Sequence, residues 1–155
     1  MNEQVINIWT QFFIHKVRYL TIGGFAVNIY GYSRSTADID IYIEDTNENR
    51  VNLRNALKDI GIGDFEEIEH IQFLPGWTDI TLEYGLRLDI MTSVLGLEQL
   101  SFQELLDEAT IVMFENIPVN FIDYQNLILA KKASNRLKDL LDIDELRKIY
   151  KDDEQ

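Results

Sequence analysis

The sequence predicts an α+β fold, a mixed β-sheet flanked by helices and followed by C-terminal helices. Three observations predict it. The hydrophobic period switches between helical and two-residue spacing in the order helix, strand, helix, strand, helix along the N-terminal part of the chain. Short apolar runs separated by Gly, Asn and Pro follow, as antiparallel strands require. The remainder carries helical patterning again, which places helices against a mixed sheet. With 155 residues, 46% of them apolar, the chain is long enough to bury a core. Its length predicts one domain over residues 1–155, with a core over about 18–122 and helices over about 124–150.

Each element has a local reason. Residues 3–15 place Val5, Ile6, Ile8, Trp9, Phe12 and Phe13 at helical spacing, and these aromatic residues are expected in the core. Tyr19 to Ile22 reads as a short strand stopped by Gly23-Gly24, and Phe25 to Tyr30 as a short helix starting directly after the glycines. Gly31 to Ala37 is a loop. Ile39, Ile41 and Ile43 alternate with Asp38, Asp40, Tyr42 and Glu44, the two-residue period of a strand. Asn47 to Ile60 is a helix carrying Val51, Leu53, Leu57 and Ile60, with Gly61 as its stop. Gly63 to Leu74 is a loop or irregular strand. Asp79 to Tyr84 and Arg87 to Thr92 form a hairpin about Gly85. Ser101 caps a helix running to about Ala109, with Glu104 completing a capping box. Thr110 to Phe114 and Val119 to Ile122 are strands, and Pro75 and Pro118 are read as turn residues between periodic segments. Tyr124 to Ala133 and Arg136 to Tyr150 are the final helices. Trp77 follows Pro75-Gly76 and reads as either a lid over a pocket or a packing residue, and residues 151–155 as a frayed end.

Composition removes several functions. There is no cysteine, so disulfides, thiolate metal sites and Cys nucleophiles are excluded. His15 and His70 stand far apart in no ligand-like spacing, which argues against a zinc site or a Ser-His-Asp triad. No apolar run reaches the roughly 18 residues of a membrane helix, and no basic segment precedes the first apolar stretch, so the expected compartment is the cytoplasm. The net charge, 14 − 27 = −13, repels nucleic acid and excludes generic DNA binding. One segment opposes that balance: Lys131 to Lys138 carries four positive charges and no negative one. It is either a solvated helix face or an anion site.

The segment from Gly23 to Asp40 carries the chemistry. In a strand, residues i and i+2 share a face, so Asp38 and Asp40 project side by side, about 6–7 Å apart. Adjacent carboxylates repel and raise each other's pKa unless a cation neutralises them, and oxygen ligands suit Mg²⁺ or Mn²⁺. Asp89 lies in a second apolar strand, Leu88-Asp89-Ile90, and completes a three-carboxylate cluster if that strand neighbours the first. Gly23-Gly24, between a strand and a helix, lets the backbone approach a phosphate closely. Arg34 offers a guanidinium, and Ser33, Ser35 or Thr36 a hydroxyl, to a phosphate oxygen. A phosphate cradle beside three carboxylates describes nucleotidyl transfer through metal ions.

Thr21-Ile22-Gly23-Gly24, then Asp38-Ile39-Asp40-Ile41, then Leu88-Asp89-Ile90 resembles the signature of the DNA polymerase β-type nucleotidyltransferase superfamily. Within it the sequence is most similar to the small bacterial branch that includes AbiEii-type toxins and minimal nucleotidyltransferases. Lys131, Arg136 and Lys138-Asp139 resemble the C-terminal part of that branch. The resemblance implies the nucleotidyltransferase fold and an enzyme moving NMP from an NTP to an acceptor hydroxyl on an RNA end such as tRNA, a protein side chain or a small molecule. It implies that Asp38, Asp40 and Asp89 ligate Mg²⁺ or Mn²⁺, with Asp89 also drawing the proton from the acceptor. It assigns Gly23 and Gly24 to the triphosphate and Lys131 to its β/γ-phosphates, with Arg34 and Thr36 as further nucleotide contacts. Two alternatives stand beside it: a catalytically silent nucleotide-binding or protein-interaction module of the same fold, and a toxin with an antitoxin partner.

Overall fold

A computed structural model describes residues 2–74 and 78–151. Helix α1 (Glu3–Ile14) starts at Asn2, whose side chain accepts from the Gln4 N–H at 2.7 Å. Strand β1 (Tyr19–Ile22) leads into helix α2 (Gly23–Ile29), then strand β2 (Asp38–Ile43) and helix α3 (Asn47–Ile60). Strands β3 (Asp79–Thr81) and β4 (Arg87–Met91) form the expected hairpin. Helix α4 (Phe102–Asp107), strands β5 (Thr110–Phe114) and β6 (Ile117–Phe121), and helices α5 (Tyr124–Ser134) and α6 (Leu137–Tyr150) complete the order. The strands make a six-stranded mixed sheet ordered β3-β4-β2-β1-β6-β5, an α+β architecture as expected.

The sheet registers position the site. Strand β2 runs antiparallel to β1, pairing Asp40 with Ile22, and parallel to β4, pairing Asp38 with Arg87 and Asp40 with Asp89. On the opposite face Ile39 pairs with Leu88 and Ile41 with Ile90, all but fully buried. The apolar set of each strand is thus committed to the core, and a one-residue slip would bury the carboxylates instead. Trp9 anchors α1 in that core. It stacks on Phe114 at 5.3 Å, meets Phe121 and Phe25 edge-on, and donates its indole N–H to Thr21 Oγ1 at 3.1 Å.

Several expectations are corrected. Phe13 is 51% exposed: Val5, Ile8, Trp9 and Phe12 define the buried stripe, and at about 100° per residue Phe13 falls roughly 90° away from its centre. Val51 is likewise exposed; Asn49 is buried in α3 instead, its side-chain amide donating to Arg18 O and Glu44 O and its carbonyl accepting from the Arg18 N–H. Helix α2 begins at Gly23 itself rather than at Phe25. The segment 63–74 holds a 3-10 turn at Glu66–Glu69, fastened by Arg50, which donates to Ile68 O and Ile71 O. Strand β3 ends at Thr81 because Tyr84 takes a left-handed conformation. Pro118 lies inside β6, paired with Met113, and not in a turn; β1 pairs with β6 only at Phe121, so the missing N–H interrupts no ladder with the central strand. The turn falls instead on Glu115 and Asn116, both with positive φ. The readings of Pro75, Trp77 and residues 152–155 lie outside the described residues. No helix among the described residues is long and apolar enough to cross a membrane.

The C-terminal helices close the face that bears the carboxylates. Asp123 caps α5, Asn135 ends it in a left-handed conformation, and the chain reverses into α6. At the far end Tyr150 packs on Tyr124 at 4.6 Å and on Tyr30 at 6.2 Å, tying α6 to α2 and α5.

Candidate active site

A cavity of about 430 Å³ opens between the sheet and the α5–α6 reversal. Its floor is Asp38, Asp40 and Asp89, with Gly23 and Ile22 from the β1–α2 junction. Its opposing wall is Lys131, Ser134, Arg136, Lys138 and Asp139. Met91, Ser93, Val94 and Leu95, which run on from β4, form a third side with an apolar portion. The register explains the floor. Residues paired across adjacent strands share a face, so the pairing of Asp40 with Asp89 brings the third carboxylate beside the first two.

Gly23 is there for a steric reason. It has φ +67, and a Cβ on it would lie 2.0 Å from Asp40 Oδ2. Only a residue without a side chain lets the Asp40 carboxylate lie against the backbone. Gly24 serves packing: a Cβ would meet Thr36 Oγ1 at 2.8 Å and Arg34 Nη1 at 3.3 Å. Gly24, Arg34 and Thr36 are not on the cavity wall. Thr36 donates its hydroxyl to Asp38 O at 3.0 Å and so fixes the entry to β2. Arg34 makes a bidentate pair with Asp142, at 2.7 and 2.8 Å.

The two acidic groups of the site behave oppositely. Burial, then the charges of Asp89 and Asp38, push the Asp40 carboxyl up from 3.8 to about 6, against the pull of Lys131 and Lys138. Asp139 and Asp142, both 1% exposed, are shifted the other way. Burial alone would raise them. For Asp139 it is outweighed by hydrogen bonds from Arg136 and the charge of Lys131, and for Asp142 by hydrogen bonds from Arg34 and Lys131. Lys131 Nζ lies 2.8 Å from Asp142 and 3.3 Å from Asp139, and Arg136 Nε lies 2.7 Å from Asp139. Arg87, also on the cavity wall, is paired with Asp79 at 2.7 Å.

The floor suits a hard divalent cation in its chemistry: oxygen donors only, on one face, with a carboxyl whose pKa is raised first by burial and then by the like charges of Asp89 and Asp38. Among the described residues, however, no three acidic or histidine side chains are gathered closely enough to hold a metal ion as they stand. The register delivers the donors to one place without closing them into a cage. Of the residues predicted from sequence, the fold brings Asp38, Asp40, Asp89, Gly23 and Lys131 to one cavity and holds Gly24, Arg34 and Thr36 behind it. Asp142 was not singled out in the sequence. Its signal, three residues after Lys138-Asp139 and one helical turn from Asp139, was present but indistinguishable from the other α6 charges.

The fold is that of nucleotidyltransferases. The structure is similar over 96% of this chain and 98% of that chain to the lincosamide antibiotic adenylyltransferase LnuA with lincomycin bound (TM-score 0.62, 20% identity). It is similar over 96% and 91% to a candidate nucleotidyltransferase from Thermotoga maritima (TM-score 0.57, 14% identity). It is similar over 94% and 81% to the antibiotic-resistance factor ANT(2'')-Ia (TM-score 0.56, 13% identity). No family model matches the sequence, and comparison with curated proteins gives no match.

Proposed function

We propose that the chain is a metal-dependent nucleotidyltransferase that moves NMP from an NTP to a hydroxyl of a small-molecule acceptor. The observation that carries this reading is the pairing of Asp40 with Asp89 across β2 and β4, with Asp38 on the same face and Lys131 across one cavity. The likeness in fold to a lincosamide antibiotic adenylyltransferase and to an antibiotic-resistance factor supports the acceptor class. Asp38, Asp40 and Asp89 would hold Mg²⁺ or Mn²⁺, which supplies charge neutralisation of the triphosphate and a Lewis acid for the attacking and leaving oxygens.

The chain's own groups divide the remaining work. Gly23 keeps the floor open to the phosphates. Lys131 and Arg136 offset the charge of the β/γ-phosphates as pyrophosphate leaves. The acceptor oxygen bonds to the α-phosphorus, the bond to the bridging oxygen breaks, and Asp89 takes the acceptor's proton. The apolar side formed by Met91, Val94 and Leu95 would carry the non-reacting part of the acceptor.

The test incubates purified protein with each of four labelled NTPs, Mg²⁺ or Mn²⁺, and panels of aminoglycosides, lincosamides, tRNA and protein. Transfer to a small molecule is expected. A folded protein that releases no pyrophosphate with any combination sinks the reading. Transfer to tRNA alone, with growth arrest on expression relieved by Asp40→Ala, would instead support the toxin of a toxin-antitoxin pair, of the AbiEii-like branch, inhibiting its host's RNA. The open arrangement of the carboxylates favours one other reading, a silent nucleotide-binding module. Nucleotide affinity unchanged in Asp38→Ala and Asp40→Ala would support it.

A further inference from the structure

We propose that Asp142, which does not reach the cavity, is a positioning residue that aims Lys131 at the distal phosphates of the nucleotide; this rests on the nucleotidyltransferase reading above. The argument begins from burial. Asp142 is 1% exposed on α6, yet it carries two cations from elements far apart in sequence. Arg34, in the loop entering β2, donates Nε and Nη2 to its two oxygens at 2.7 and 2.8 Å. Lys131, from α5, stands 2.8 Å from Oδ2. One carboxylate thereby joins α5, α6 and the segment that delivers Asp38 and Asp40.

A lysine ammonium on four rotatable bonds does not hold a position unaided. Lys131 is 6% exposed and lines the cavity, while two carboxylates contact its ammonium from the α6 side. Of these two, Asp139 lines the cavity and is already engaged by Arg136, through both its side chain and its backbone N–H. Asp142 makes the shorter contact with Lys131 and has no face on the cavity. It is therefore placed to orient the ammonium without competing for the ligand. With Arg34, Lys131 and Arg136 against Asp139 and Asp142, the cluster retains one positive charge, which a phosphate chain would meet at Lys131 and Arg136.

The experiment compares affinities of the wild type, Asp142→Asn and Asp142→Glu for non-hydrolysable NTP analogues and the matching NMPs, with Mn²⁺, by calorimetry. Asp142→Asn is expected to weaken NTP binding roughly ten-fold or more, the scale of one charged hydrogen bond. NMP binding should stay within about two-fold, and Asp142→Glu should recover part of the loss. Equal losses for NTP and NMP, or no loss, overturn the proposal, because a purely structural role does not distinguish phosphate number. A wild type that binds neither ligand sinks the nucleotide reading instead. A second measurement is independent of binding and of the variant's folding: the ¹⁵N ammonium signal of Lys131 in the wild type, assigned by its loss in Lys131→Arg. A slowly exchanging, rotationally restrained signal is expected. A signal averaged like that of surface lysines overturns the proposal.

Discussion

The floor and the wall of the cavity are built from the same residue type and differ in almost every physical respect. On the floor, Asp38, Asp40 and Asp89 stand together on one face of the sheet, and Asp40 is raised to about 6. Across from it, Asp139 on the wall and Asp142 behind it are less exposed to solvent, yet their pKa values are lowered, because Arg34, Lys131 and Arg136 satisfy them. Burial alone does not decide whether an aspartate is strained; the partners do. A satisfied carboxylate contributes to the fold. A frustrated one stores a demand for positive charge that a ligand can meet.

That contrast is broken most severely by Asp40→Asn. It should cut nucleotidyl transfer by roughly 1,000-fold or more, the scale of losing a central electrostatic group. Thermal stability without ligand should hold or rise as like-charge repulsion falls, and calorimetry beside a pyrophosphate-release assay reads both effects. The reverse holds behind the wall. Asp142→Ala leaves Arg34 and the buried Lys131 without their shared anion and should cost about 3–5 kcal/mol of stability, read by urea unfolding. Gly23→Ala should cost about 2 kcal/mol and displace the Asp40 carboxylate, because the new Cβ enters its space at a positive φ. Circular dichroism melts together with Mn²⁺ titration check that.

The smallest effect separates the two groups by pH. Asp40 has a folded pKa above its unfolded value of 3.8, so the folded state holds the extra proton between 3.8 and about 6. Its contribution favours folding below about 3.8 and is lost as pH rises through 6, by about 1–2 kcal/mol after allowance for solvent screening. Asp139 and Asp142 have folded values below 3.8, so their contribution is present above 3.8 and is lost as pH falls below it. Stability curves of the wild type and Asp40→Asn should therefore differ in slope between pH 4 and 6 and run parallel below.

The floor was legible in the sequence because strand patterning is local. Alternation of Ile39, Ile41 and Ile43 with Asp38 and Asp40 fixes which side faces the core, and Leu88-Asp89-Ile90 repeats the code. Only the neighbouring of the two strands had to be supplied by the fold. The wall was legible by half. The basic stretch pointed to Lys131, but its anions come from α6, and the partner of Asp142 lies 108 residues away at Arg34. Such pairing is decided by how helices dock, which periodicity does not encode. The same limit explains Arg34, whose guanidinium is engaged by protein rather than facing the cavity, and Phe13, which lies at the edge of the stripe that α1 turns to the core.

The tyrosine contacts that fasten the end of α6 to α2 and α5 bear on how the molecule is born. A ribosome releases every strand of the sheet before it releases α6. Until that helix docks, Arg34 and Lys131 lack the Asp139 and Asp142 carboxylates that pair with them, and the side of the cavity facing the three strand carboxylates is only partly built. The wall of the cavity is thus complete only once α6 has emerged and Tyr150 has met Tyr30 and Tyr124.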